Sequence, residues 1–155
     1  MSYGGSKAQS GNQTTLSINT GTVSTPVWTL IGEIGNFAQS GTQNKTDDTT
    51  NLQSTAEEFI PTILTPGKLS GAFNRVSSDG GQVAMKASFN AVPPTLVQYK
   101  AVLPKTPSQS SAGDSIVILG MVEELNNLGD IKPDKKVSTP FSIKISGPIV
   151  ETLGS

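Results

Sequence analysis

Apolar and polar residues alternate along much of the chain, and the alternation locates strands. The clearest run sets Phe141, Ile143, Ile145 and, beyond them, Ile149 against Ser142, Lys144 and Ser146. A period of two marks a half-buried strand. Residues 68–76 alternate as well, with Leu69, Gly71 and Phe73 on one side and Ser70 and Asn74 on the other. Leu16 and Ile18 make a weaker first strand. Residues 95–103 read as a further strand. Residues 27–37 and 115–125 are apolar on both sides, which predicts strands covered on both faces. In the first of these, Val27, Ile31 and Phe37 share one face and Trp28, Leu30 and Ile34 the other. Residues 57–64 form a short strand whose Pro61 lacks an amide donor, so it belongs at an edge or a bulge.

The period changes once. Between residues 82 and 91, Val83 and Ala87 stand four apart, as do Met85 and Phe89. That spacing predicts a helix, capped by Ser78 or Asp79 and stopped before Pro93-Pro94. Two stretches lack a pattern. Residues 1–13 are Gly- and Ser-rich and read as a flexible arm. Residues 38–55 hold only Ala38, Leu52 and polar side chains, which predicts a long unstructured loop. The expected architecture is mainly β, an antiparallel sandwich or barrel with one short flanking helix, in a single domain over residues 14–150. A tail follows over 151–155.

Composition narrows the functional classes. Only 34% of the 155 residues are apolar, so the core is small. Charge is low as well, which separates this chain from ordinary disordered sequences. A small core with strands apolar on two sides points to burial against further copies of the same chain. Net charge is −1, and Lys135-Lys136 is too sparse a basic run to track phosphates. No apolar run is long enough to span a bilayer, and residues 1–13 contain no hydrophobic signal segment. Neither cysteine nor histidine occurs, which removes thiolate chemistry, the commonest metal ligand and the commonest general base.

The remaining candidates for chemistry are weak. Glu57-Glu58 and Glu123-Glu124 are adjacent pairs, and neighbours in a strand point to opposite faces, so neither pair converges on a substrate. Asp47-Asp48 lacks the further oxygen ligands of a calcium loop. Gly80-Gly81 lacks the further glycines or Gly-Lys-Ser/Thr ending of a phosphate cradle and reads as a strand-to-helix turn. Asn44-Lys45-Thr46 fits a glycosylation acceptor without a secretory signal. No pattern pairs a serine with a lysine base. No catalytic residue, metal site or cofactor is expected.

One ordered set of motifs is more specific. Trp28-Thr29-Leu30-Ile31-Gly32-Glu33-Ile34 is followed by Asp47-Asp48-Thr49-Thr50-Asn51-Leu52-Gln53-Ser54-Thr55. Then come Glu57-Glu58-Phe59-Ile60-Pro61, Pro66-Gly67, Leu69-Ser70-Gly71-Ala72-Phe73-Asn74 and a last strand closing on Ile145-Ser146-Gly147-Pro148-Ile149. In order and spacing this set resembles the major tail, or tail tube, proteins of long-tailed, siphovirus-like bacteriophages, over roughly residues 28–150. Pro61-Thr62 departs from the small residue or glycine common there.

The resemblance implies a fold related to the type VI secretion tube protein. It also implies a structural, non-enzymatic role: hexameric rings stacked into a hollow tube around a tape measure protein, with DNA passing through the lumen unbound. Tail terminator and tail tip proteins are the further implied partners. The place is the tail of a virion, assembled in the cytoplasm of a bacterial host. On this expectation Asp47, Asp48, Thr49, Leu52, Phe59 and Ile149 make contacts between subunits, with the 38–55 loop ordering on assembly. Glu33, Glu123 and Glu124 are the expected acid groups facing the lumen. The rival readings are a tail terminator, a decoration protein, or an unrelated β-sandwich binding module, which would display aromatic anchors. Aromatics are only 5% here.

Overall fold

The computed structural model describes residues 11–129 and 131–155. Among the described residues there are nine strands and one helix. They are β1 (Thr15–Asn19), β2 (Trp28–Leu30), β3 (Ile34–Ser40), β4 (Gln43–Asp48), β5 (Phe59–Thr65), β6 (Lys68–Asn74), α1 (Gly80–Asn90), β7 (Val97–Val102), β8 (Ser115–Leu125) and β9 (Ser138–Thr152). Seven strands make one antiparallel sheet in the order β2-β1-β7-β8-β9-β6-β3, and β4 pairs with β5 alone. The mainly β architecture with one helix is as the sequence predicts. Residues 1–10 of the expected N-terminal arm lie outside the described residues.

Alternation builds the core. Leu16 and Ile18 on β1, Tyr99 on β7, Ile118 and Val122 on β8, and Ile143 and Ile145 on β9 are all buried. They fall on one face because the pairing sets Ile18 opposite Tyr99, Tyr99 opposite Ile118, and Val122 opposite Ile143. The sheet curls around this face. Leu16, near one end of the strand order, and Phe37 on β3, at the other, line the same apolar cavity of about 110 Å³. Phe73 and Phe141 stack with centroids 5.8 Å apart, a pairing worth about 1 kcal/mol beyond its buried area.

The helix covers part of this inner face, packing against β8, β1 and β2 with Met85 fully buried. Its start is fixed by Asp79, one of the two expected caps. One carboxylate oxygen, Oδ2, accepts from the Gln82 amide at 3.0 Å and from the Gly32 amide at 3.1 Å. The cap therefore joins the helix to the segment after β2. Gly81 allows the close approach, since a Cβ there would lie 2.3 Å from the Leu30 carbonyl oxygen. Gly81 thus serves packing at the strand-to-helix turn that the sequence predicts, while Gly80 makes only ordinary contact with Thr29. Asp79→Ala removes both bonds and is expected to lower stability by about 2 kcal/mol, at the upper end for a cap, measured by chemical denaturation.

Two expectations change. The single strand over 27–37 is two strands, because Glu33 adopts φ 60 and turns the chain between β2 and β3. Glu33 thus lies in a turn, where its backbone carbonyl accepts from the Asn74 amide at 2.8 Å. The last strand is also longer than its alternation suggests. β9 runs to Thr152, its end pairing with Ser115–Val117, and Gly154 donates to the Asp114 carboxylate at 2.8 Å. Residues 151–155 are therefore tied to the body rather than forming a separate tail.

Candidate assembly surface

The polar stretch expected to be an unstructured loop is the stem and tip of a β arm. Ser40 faces Lys68 at the end of the β3–β6 pair, and Gln43 faces Thr65 at the start of the β4–β5 pair. The register runs unbroken from one pair to the next, so β3–β4 and β5–β6 form a single ribbon. Gly41 stands opposite Gly67 where the ribbon divides into two sheets. Both glycines adopt positive φ, 75 and 84, a region that L side chains enter at a cost. A Cβ on Gly67 would lie 2.1 Å from the Ser40 carbonyl oxygen. Beyond this bend the Thr42 hydroxyl donates to the Pro66 carbonyl at 2.7 Å.

The arm is held together by local bonds. β4 has no aliphatic side chain, and all six of its residues are exposed. Its strand form comes from pairing with β5, not from burial. At the tip the Thr49 amide donates to the Glu58 carbonyl at 3.0 Å. Asp48 accepts from the Thr50 amide at 2.9 Å. The Thr50 hydroxyl, and then this amide, hold the Asp48 carboxyl below its usual value. Pro61 sits in a two-stranded ribbon, next to a register shift in the pairing, where its missing amide is tolerated.

The arm's apolar residues find no cover among the described residues. Phe59, Ile60, Ile63 and Leu64 are 64%, 50%, 71% and 46% exposed, and Leu52 at the tip is fully exposed. Asp47, Asp48, Thr49, Leu52 and Phe59 therefore lie together on one projecting element. Ile149 does not join them, since it is half-buried against the body's core. Ile60, Ile63 and Leu64 are arm residues outside the expected set of subunit contacts. Their apolar run is visible in the sequence, where it reads as a strand of the body.

Two further surfaces are incomplete. Among the described residues the sheet ends at β2 and β3, neither of which has an outer strand partner. On the outer face of β8, Val117, Leu119 and Met121 are only half-buried, so this strand has one side covered by its own chain and one side not. The acid pair on β8 also departs from strict alternation. Val122 faces Ile143 while Glu124 faces Ser142, so Glu123 is an extra residue in β8. This bulge leaves both Glu123 and Glu124 exposed between buried Val122 and Leu125. Glu123 shares an open groove with Lys68 and Lys144. Glu33 lies elsewhere, at the β2–β3 turn, where its carboxylate accepts from the Asn74 side chain at 3.2 Å. Among the described residues no group of three or more acids could hold a metal, and no helix is long and apolar enough to cross a membrane.

No family model matches this sequence, and no curated protein matches it. Solved structures do. A chain in the tail of an empty gene transfer agent particle, refined with C6 symmetry, superposes with a TM-score of 0.68 over 94% of this chain and 99% of that one, at 16% identity. The SPP1 tail tube matches with a TM-score of 0.68 over 96% of this chain and 80% of that one, at 10% identity. The fold is that of a tail tube. A chain of the tube-terminating cap of the anti-feeding prophage shares this tail-tube fold, with a TM-score of 0.72 over 99% of this chain and 97% of that one, at 6% identity. At these identities the likeness is one of fold, and it agrees with the resemblance carried by the ordered motifs.

Proposed function

We propose that this chain is a structural subunit that closes into rings and stacks into the hollow tube of a phage-like tail. The observation that carries the reading is the projecting arm on a tail-tube fold, with Phe59, Ile60, Ile63 and Leu64 left exposed by the described residues. A strand with this much exposed apolar surface calls for a partner. The free edges of β2 and β3 support ring closure, since joining them between neighbours extends the sheet and removes both edges. In this reading the arm residues Asp47, Asp48, Thr49, Leu52 and Phe59 bridge subunits, while Ile149 supports the body from within. Glu33, at the β2–β3 turn, and Glu123 and Glu124, at the β8 bulge, are the candidate lumen groups. Lys68 and Lys144, which share a groove with Glu123, reduce the net repulsion that a passing DNA strand would meet. The tape measure, tail terminator and tail tip proteins remain the implied partners, in a virion tail assembled in a bacterial cytoplasm.

Likeness to the cap structure supports a second reading, a terminal ring at the end of such a tube. Negative-stain electron microscopy of the concentrated, purified protein separates the two. Open-ended tubes are expected. Closed single rings would favour the terminal role, and a monomer at every concentration would remove both.

A further inference from the structure

The arm and the opposite end of the body carry complementary charge and apolar surface. Between Gln43 and Thr65 the chain holds Asp47, Asp48, Glu57 and Glu58 against Lys45, a net charge of −3. The whole chain is −1, so the remainder is +2. The arm leaves the sheet at the Lys68 end of β6, where Lys68 faces Lys144. At the other end of β6, Asn74 faces Ser138, the first residue of β9. The β8–β9 connection therefore emerges at the end away from the arm. That connection carries Lys132, Lys135 and Lys136 against Asp130 and Asp134, and Lys135 and Lys136 are exposed. It also exposes two large apolar side chains, Leu128 at 80% and Ile131 at 57%.

We infer that the arm of one copy docks on the β8–β9 connection of a second copy, its acids against Lys135 and Lys136 and its β5 side chains against Leu128 and Ile131. The contact joins two different surfaces at opposite ends of β6. Repeated, it is heterologous and adds copies along one direction without using up either surface. Opposite charges at the two surfaces steer them together and disfavour arm-to-arm and loop-to-loop encounters, which would place like charges side by side. The inference rests on the reading of this chain as a self-associating subunit and names the surface that the arm meets.

The test uses two full-length variants, Glu57→Lys/Glu58→Lys and Lys135→Glu/Lys136→Glu. Both sets are exposed, and Asp48, which bonds Thr50, is left in place. Each variant alone is expected to raise the concentration needed for association about ten-fold or more, by sedimentation velocity, with circular dichroism and thermal melting unchanged. Mixing the two is expected to restore association, because the unaltered arm of the second variant meets the unaltered connection of the first, and the two reversed surfaces are again opposite in charge. Association of either variant at the wild-type concentration overturns the inference, as does a mixture that stays apart. The tube reading is judged separately by microscopy. Salt-sensitive pairing of wild-type copies without tubes keeps this contact and removes the tube, and tubes unaffected by either reversal do the opposite. A wild-type chain that stays monomeric removes both.

Discussion

Excising Gln43–Thr65 is expected to abolish assembly while leaving a folded monomer of nearly unchanged stability. The register makes the excision clean. Thr42 already faces Pro66 across the bend, so joining them closes the β3–β6 pair with a short connection, Gly41-Thr42-Pro66-Gly67. Tight connections of this length are common in hairpins, and shortening a loop lowers the entropy cost of closing it. The deleted segment contributes little to the core. All of β4 is exposed, and Phe59 and Ile63 are 64% and 71% exposed. The body's melting temperature should move by no more than the equivalent of about 1 kcal/mol. Assembly should respond differently, because the excision removes five exposed large apolar side chains, Leu52, Phe59, Ile60, Ile63 and Leu64, and four exposed acids. Sedimentation and electron microscopy on the excised chain check the outcome. Tubes formed at the wild-type concentration would show that the arm is not the stacking element, and a molten monomer would show that it belongs to the fold.

Some of these elements are legible in the sequence, and others are hidden for physical reasons. β8 is readable to the residue because its apolar run is bounded by polar turns. α1 is readable because its four-residue spacing follows a capping Asp79 and ends before Pro93-Pro94. β4 is hidden because burial is what leaves a pattern, and Gln43–Asp48 buries nothing. Its strand form is inherited through register from the β3–β6 pair. The pairing of Gly41 with Gly67 is hidden as well, since it joins positions far apart in sequence. Pro66-Gly67 reads as a turn when it is one side of a bend. Alternation also fails locally, at the Glu123 bulge and at the left-handed Glu33. At both places one residue out of register reassigns the faces on either side. The arm residues picked out as contacts lie together, while Ile149, expected to contact a neighbouring subunit, packs half-buried against the core.

Gln82→Ala is expected to lower stability more than loss of the Asp79 cap or truncation of any exposed polar side chain. Gln82 is fully buried at the helix start, and its side chain directs its hydrogen bonds at backbone groups from three segments. Its amide nitrogen donates to the Gly32 carbonyl and to the Asn74 carbonyl, each at 2.9 Å, and its carbonyl oxygen accepts from the Val76 amide at 2.9 Å. These are the turn after β2, the end of β6 and the link from β6 to α1. Truncation to alanine leaves the two carbonyls and the amide without this partner and opens a cavity beside the helix. A stranded buried polar group costs about 1–3 kcal/mol, and partial relaxation or an entering water recovers some of it. The net loss should be about 4 kcal/mol, which for a chain of this size is a drop in melting temperature of about 8–16 °C. Gln82→Glu separates polarity from shape. It keeps the size and the acceptor for Val76 but sets carboxylate oxygen against the Gly32 and Asn74 carbonyls, so it should be no less damaging near neutral pH. At lower pH the carboxyl takes up a proton and regains one donor. Its stability relative to wild type should therefore improve as pH falls, the opposite of what a carboxylate stabilised by hydrogen bonds in the folded state would give. A Gln82→Ala chain that melts within a few degrees of wild type would show that these three segments are held by packing of the helix alone.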